Sequence, residues 1–177
     1  MTERLFPAAD AHIIDTNLFI LFERNQHVEL LERAVSEHNI ELLIPQRVYD
    51  ELTPEGLPYN QPPVEEAIDA GWVRICEPIA YSNPVVSETM DMVRRYIAAA
   101  DNRAEHEIEQ ADGSLGGVTA TLLENGAVDS VAIYTNDTAA FRGIERAVTE
   151  HGYEGRVRLV DAFDWYEAVQ GRYDSQV

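Results

Sequence analysis

Four acidic residues carry the chemistry that this sequence offers. Asp15 follows the apolar pair Ile13-Ile14, and Asp137 follows the run Val131-Ala132-Ile133-Tyr134 inside Thr135-Asn136-Asp137. Such runs read as buried parallel strands, so both carboxylates are expected at strand carboxyl ends, where open α/β sheets place their ligands. Glu51 lies in the short helical segment Arg47-Val48-Tyr49-Asp50-Glu51-Leu52, and Asp112 opens a helix that runs to Asn125-Gly126. Two unit charges about 4 Å apart repel by about 4 kcal/mol at an effective dielectric of 20. A cluster of four such groups therefore needs a cation or must take up protons. Oxygen-only ligands select a hard ion, Mg²⁺ or Mn²⁺, and the chemistry open to that ion is activation of a water molecule. The five histidines are scattered, with no zinc spacing among them.

Each acid also has a plainer reading. Asp15, Asp112 and Asp137 stand where helix caps stand, Asp50 neighbours Glu51, and Glu109 lies one turn before Asp112 as a competing ligand. The paired strand-end placement of Asp15 and Asp137 favours a site. Alternation with Val48 and Leu52 turns Asp50 and Glu51 in different directions.

The elements that must position these acids follow the grammar of a parallel α/β sheet. After the strand closed by Asp15, residues 18–22 and 27–37 read as helices, the second with Val28, Leu31, Ala34 and Val35 on one face. Strands are expected at 40–44, 72–75, 131–135 and 157–160. Helices are expected at 47–52, 64–70, 137–150 and 162–171, with 173–177 a frayed tail. The proline-rich stretch 53–63 is a loop, read as a connector ahead of a substrate gate. From Asn83 the pattern is helical to about Gln110, with a break near Ala98–Asn102. Gly116 and Gly117 cost about 1 kcal/mol each in a helix relative to alanine, so close packing or close approach of a substrate must compensate.

Taken in order, Asp15-Thr16-Asn17, the helical Glu51, the helix-initiating Asp112 and Thr135-Asn136-Asp137 resemble the motifs of the PIN-domain family of metal-dependent ribonucleases, over a span from His12 to about Tyr166. The resemblance implies an α/β, Rossmann-like fold: a parallel central sheet, helices on both faces and a helical insertion, in a single domain covering 1–177. It implies phosphodiester hydrolysis of RNA by a metal-activated water. Asp15, Asp112 and Asp137 would ligate Mg²⁺ or Mn²⁺ directly or through water, while Glu51 would ligate or orient the attacking water. Thr16, Asn17, Thr135 and Asn136 would shape the surrounding loops. It also implies a homodimer and, for a toxin of a toxin–antitoxin pair, an antitoxin protein; a processing or quality-control nuclease is the other role. Arg47 and Arg142 are the arginines nearest the motif acids. Arg47 suits an ion pair with Glu51 one turn on, and Arg142 suits a phosphate by position. Tyr49 and Phe141 have core packing as their ordinary role and base stacking as the alternative.

Composition bounds the rest. With 177 residues and 45% hydrophobic content the chain can bury a real core. The 32 acids against 13 bases give a formal charge of −19, and every base is arginine. At molar salt the Debye length shrinks to about 3 Å, which removes most of the resulting self-repulsion. The balance resembles that of a haloarchaeal cytoplasmic protein, and it accounts for the missing basic footprint of a nucleic-acid binder. No apolar stretch approaches the roughly 20 residues that span a bilayer, and no signal-like start is present, so a cytoplasmic location is expected. Cys76, the single cysteine, has apolar neighbours and reads as an inert thiol. A rival reading keeps the fold but not the catalysis: a PIN-like interaction module whose acids are caps and whose acidic surface docks a partner. A phosphotransfer site built on Asp15 would call for an Asp-x-Asp spacing or a helpful lysine, and neither accompanies it.

Overall fold

A computed structural model describes residues 4–57 and 61–174, apart from the side chains of 110 and 111. Its centre is a five-stranded sheet of order β3-β2-β1-β4-β5, parallel at every pairing. The strands are β1 (Ala11–Ile14), β2 (Leu42–Ile44), β3 (Val73–Ile75), β4 (Val131–Thr135) and β5 (Val157–Asp161). Successive residues alternate between two cores, as the two-residue period of a strand requires. Ala11, Ile13, Leu43, Val131 and Ile133 face one layer, while Ile14, Leu42, Ile44, Ala132 and Tyr134 face the other.

The second of these layers is covered by α1 (Thr16–Arg24), α2 (Val28–Glu37), α3 (Gln46–Leu52), α4 (Pro63–Asp69) and α8 (Ala162–Tyr173). The first is covered by α5 (Pro84–Ala100), α6 (Ser114–Glu124) and α7 (Thr138–Glu150). The chain thus winds outward from β1 on one face to β2 and β3, then crosses to the other face and enters β4 beside β1. The gap between β1 and β4 is the point at which the winding reverses, and in such sheets a crevice opens there at the carboxyl ends.

Packing explains the helical glycines. A Cβ on Gly116 would stand 2.8 Å from Val93 Cγ2, and one on Gly117 2.8 Å from the Met90 sulfur. A Cβ on Gly143 would come within 2.7 Å of the Val93 backbone. The glycines therefore let α5 lie directly against α6 and α7; of the two compensations expected for Gly116 and Gly117, close packing is the one the fold uses.

Several expected boundaries move. Helix α5 stops at Ala100, and residues 101–113 continue only as short 3₁₀ turns at Glu105–Glu107 and Gln110–Gly113. The helix expected from Asp112 begins at Ser114, with Asp112 in the preceding turn. Tyr173, expected to fray, ends α8 as a buried residue whose hydroxyl donates to Glu37 Oε2 at 2.9 Å. Residues 175–177 of the expected tail, and Pro58, Tyr59 and Asn60 of the proline-rich loop, lie outside the described residues.

Candidate metal-binding carboxylate site

Asp15 leaves the end of β1 and caps α1, its Oδ1 accepting the Thr16 N–H at 2.8 Å. Its own N–H donates to the Tyr134 carbonyl at 3.1 Å, which keeps it level with the carboxyl end of β4. From that strand the fully buried Thr135 donates its hydroxyl to Asp15 Oδ2 at 3.0 Å and accepts the Asp137 N–H at 3.0 Å. One hydroxyl thus fixes both strand-end acids, and Asp137 in turn caps α7 by accepting from the Ala140 N–H at 2.8 Å.

The other two acids arrive from helices. Glu51, on α3, accepts the Thr16 hydroxyl and an Arg47 Nη1–H at 3.1 Å. Asp112 is half-buried in the 3₁₀ turn ahead of α6, where its Oδ2 accepts the Glu109 N–H at 3.1 Å. Asp15, Glu51, Asp112 and Asp137 line one cavity of about 320 Å³, together with Thr16, Asn17 and Arg47. Glu109 is exposed and does not line it. A larger cavity of about 860 Å³, between β5, α8 and Leu5, holds none of the four acids.

Arg47 is more than a surface ion pair. Besides Glu51, its Nη2 lies 3.4 Å from Asp15 Oδ1 and its Nε donates to Ser114 Oγ at 2.9 Å. The guanidinium therefore stands between two of the acids and ties α3 to the start of α6. Arg142 is exposed and lies outside the cavity. Asn136 is also turned away, its Oδ1 accepting the Ala162 N–H of α8 at 3.2 Å. Tyr49 donates to Glu65 at 3.0 Å, and Phe141 is buried in the core beneath α7. Cys76 is buried, and burial pushes its thiol up to about 12, so it stays protonated and unreactive.

Two lining residues, Asp101 and Arg103, had no place in the sequence reading as parts of a site. They sit where α5 ends, on either side of Asn102, whose φ of 53° turns the chain back toward the carboxylates. The break at Ala98–Asn102 was the signal, since a polar Asp-Asn pair ending a long helix reverses the chain there.

The donor set fits a hard divalent ion in kind: the four motif carboxylates and Asp101 line one cavity, with no thiol or imidazole among its described lining residues. Among the described residues no three acidic, histidine or cysteine side chains already stand in ion-holding geometry. The positive charge between Asp15 and Glu51 comes from Arg47. To hold an ion there, the partly exposed Arg47 and Glu51 side chains must swing aside, whereas Asp15 stays fixed by Thr16 and Thr135.

Among the described residues, no helix is long and apolar enough to cross a membrane. No curated protein and no solved structure matches the chain. A family model described as the halobacterial PIN domain matches residues 8–174, and PIN domains are generally nucleases. The parallel sheet, the reversal of winding between β1 and β4 and the acids gathered at that point agree with the match: the chain belongs to the halobacterial PIN-domain family.

Proposed function

We propose that the protein is a Mg²⁺- or Mn²⁺-dependent endoribonuclease. The observation that carries the reading is the convergence of Asp15, Glu51, Asp112 and Asp137, from four separate segments, on one cavity at the carboxyl edge of the sheet. Family membership supports the nuclease class.

A bound divalent ion would supply a lowered water pKa and stabilisation of charge on the scissile phosphate. Asp15, Asp112 and Asp137 are the residues that would hold it. Thr135 holds the Asp15 carboxylate and the Asp137 backbone in place, so these two acids need less rearrangement than Glu51 when an ion binds. Glu51, the most exposed of the four, orients the attacking water and accepts its proton. The water oxygen bonds to phosphorus, the bond to the leaving ribose oxygen breaks, and that oxygen takes up a proton. Arg47, once released from the carboxylates, is placed to hold a phosphate oxygen.

A second reading rests on the caps. Asp15 and Asp137 already satisfy helix N-termini, and Arg47 already pairs with both Asp15 and Glu51, as a PIN-like interaction module without catalysis would need. Incubation of single-stranded RNA with the protein at molar KCl, with Mn²⁺ or with EDTA, separates the two. Cleavage only with Mn²⁺ supports the nuclease. An intact substrate, together with a melting temperature that Mn²⁺ leaves unmoved, supports the module.

A further inference from the structure

Beyond Arg47 the carboxyl edge of the sheet carries a second cleft. It has a volume of about 420 Å³, within the range of about 300–1,000 Å³ typical of ligand pockets. It lies past the ends of β2 and β3, where Pro45 follows Ile44 and Cys76 follows Ile75, and α6 forms its back wall. Pro45, Pro78, Ile79 and Val118 give it apolar walls. Arg47 lines both this cleft and the carboxylate cavity, and Ser114, which accepts from Arg47 Nε, stands beside it. The two spaces are therefore neighbours that share Arg47.

The charge of the cleft limits what enters it. Among the described lining residues Arg47 is the one cation, while Asp50 and Glu77 are acids, so the cationic partner these residues offer a phosphate lies at the Arg47 end. An uncharged, flat group suits the remainder. Tyr81 supplies the surface for it: at 58% exposure it is one of three large apolar side chains left open to solvent among the described residues, and it lines the cleft. Among the described residues only its backbone is tied down, through its N–H to the Ile79 carbonyl at 3.0 Å.

We propose that this cleft is a nucleobase subsite: it takes the base of a nucleotide flanking the scissile phosphate of single-stranded RNA, stacked on Tyr81, while Arg47 holds the phosphate between the two spaces. Aromatic stacking of this kind is tolerant of base identity and adds affinity for every base so held. The inference rests on the ribonuclease reading for the identity of the polymer, but its geometry is independent of the catalytic step.

The test uses the full chain at molar KCl with Mn²⁺. In a Tyr81→Trp variant the new indole is exposed, whereas Trp72 and Trp165 are buried, so quenching reports position 81. The probes are a single-stranded RNA oligonucleotide with phosphorothioate linkages and an abasic ribose-phosphate chain of equal length. Saturable quenching by the RNA and none by the abasic chain is expected. Tyr81→Ala is expected to raise the KM for RNA cleavage by about 5- to 150-fold, with kcat much less affected. Cleavage by the wild type with no quenching at position 81 and an unchanged KM in Tyr81→Ala overturns the subsite and leaves the nuclease standing. Equal quenching by the abasic chain also overturns it. Quenching by RNA without any cleavage retains the subsite and removes the nuclease, and neither quenching nor cleavage removes both.

Discussion

Replacing Thr135 with valine removes one hydroxyl and leaves the side-chain shape almost unchanged, at a position with no exposed surface. That hydroxyl donates to Asp15 Oδ2 at 3.0 Å and accepts from the Asp137 N–H at 3.0 Å. A hydrogen bond to a charged group contributes about 1.5–3 kcal/mol, and a buried donor left without a partner costs about 1–3 kcal/mol. Asp137 is half-buried, so water can replace part of the second contribution, and Asp15 keeps the Thr16 N–H and Arg47. The expected loss for Thr135→Val is therefore about 2–4 kcal/mol. Thr135→Ser keeps the hydroxyl and loses a methyl, for about 1 kcal/mol. Urea unfolding at molar KCl measures both; guanidinium chloride, itself a salt, would change the screening along with the denaturant. A Thr135→Val protein within about 0.5 kcal/mol of the wild type, or a serine variant less stable than the valine variant, would refute the claim that this hydroxyl holds the two strand-end acids.

Further outcomes follow from other parts of the molecule. Gly143→Ala would force a methyl to 2.7 Å from Val93 Cα and is expected to destabilise by about 1–3 kcal/mol or more. Gly171→Ala, whose Cβ would meet nothing within 4 Å among the described residues, is expected to stabilise by up to about 1 kcal/mol; the same urea titration ranks the pair, and equal effects would contradict the packing of α5 on α7. Burial lowers the pKa of His12, 3% exposed with Nδ1 2.8 Å from the Tyr134 hydroxyl, from its ordinary 6.5. The folded state therefore resists its protonation, and the contribution is present in full above about 6.5 and is lost as pH falls from there through the lowered value. Melting temperatures from pH 7.5 downward should drop less in His12→Gln than in the wild type, and parallel curves would contradict it. With a formal charge of −19, the melting temperature should rise as KCl goes from about 0.1 M to about 1 M and the Debye length shrinks from about 10 Å to about 3 Å; a flat response would show that self-repulsion is not what limits stability.

The strand-end acids were legible because their signal is local: an unbroken apolar run followed by a carboxylate fixes both the strand and the edge at which the acid emerges, and β4 has the expected bounds, Val131–Thr135. Glu51 and Asp112 needed the resemblance, since nothing in a seven-residue helix or a 3₁₀ turn says which cavity it faces. The overrun of α5 has a physical cause. Residues 101–110 are rich in helix formers, but Ile108 is the one buried apolar residue among those described there. A helix would have no face to pack, and tertiary burial rather than propensity sustains a helix of that length. Arg142 misled for a related reason: five residues past Asp137, at about 100° per residue, it lies far round the helix from the cap and faces solvent. Asn136 sits inside the expected motif, yet its side chain serves the start of α8, because the turn leaving a strand can aim successive side chains at different neighbours. Asn39, with φ of 52°, turns the chain after α2 and delays β2 to Leu42, two residues later than the apolar run begins.

The most direct test of the central claim is cleavage of single-stranded RNA at molar KCl by the wild type, Asp15→Asn and Asp137→Asn, each with Mn²⁺ and with EDTA. Both substitutions keep an oxygen for the cap and remove a charge from the cavity; Asp15→Asn also replaces one of the two oxygens that accept from Thr16 and Thr135, so the urea transition of each variant is measured beside its cleavage. Cutting by the wild type with Mn²⁺, abolished by EDTA and by either substitution, is the expected result. Cutting that survives EDTA or both substitutions, or a wild type that binds Mn²⁺ at this cavity and leaves every RNA intact, would contradict the assignment of these four carboxylates as a ribonuclease centre.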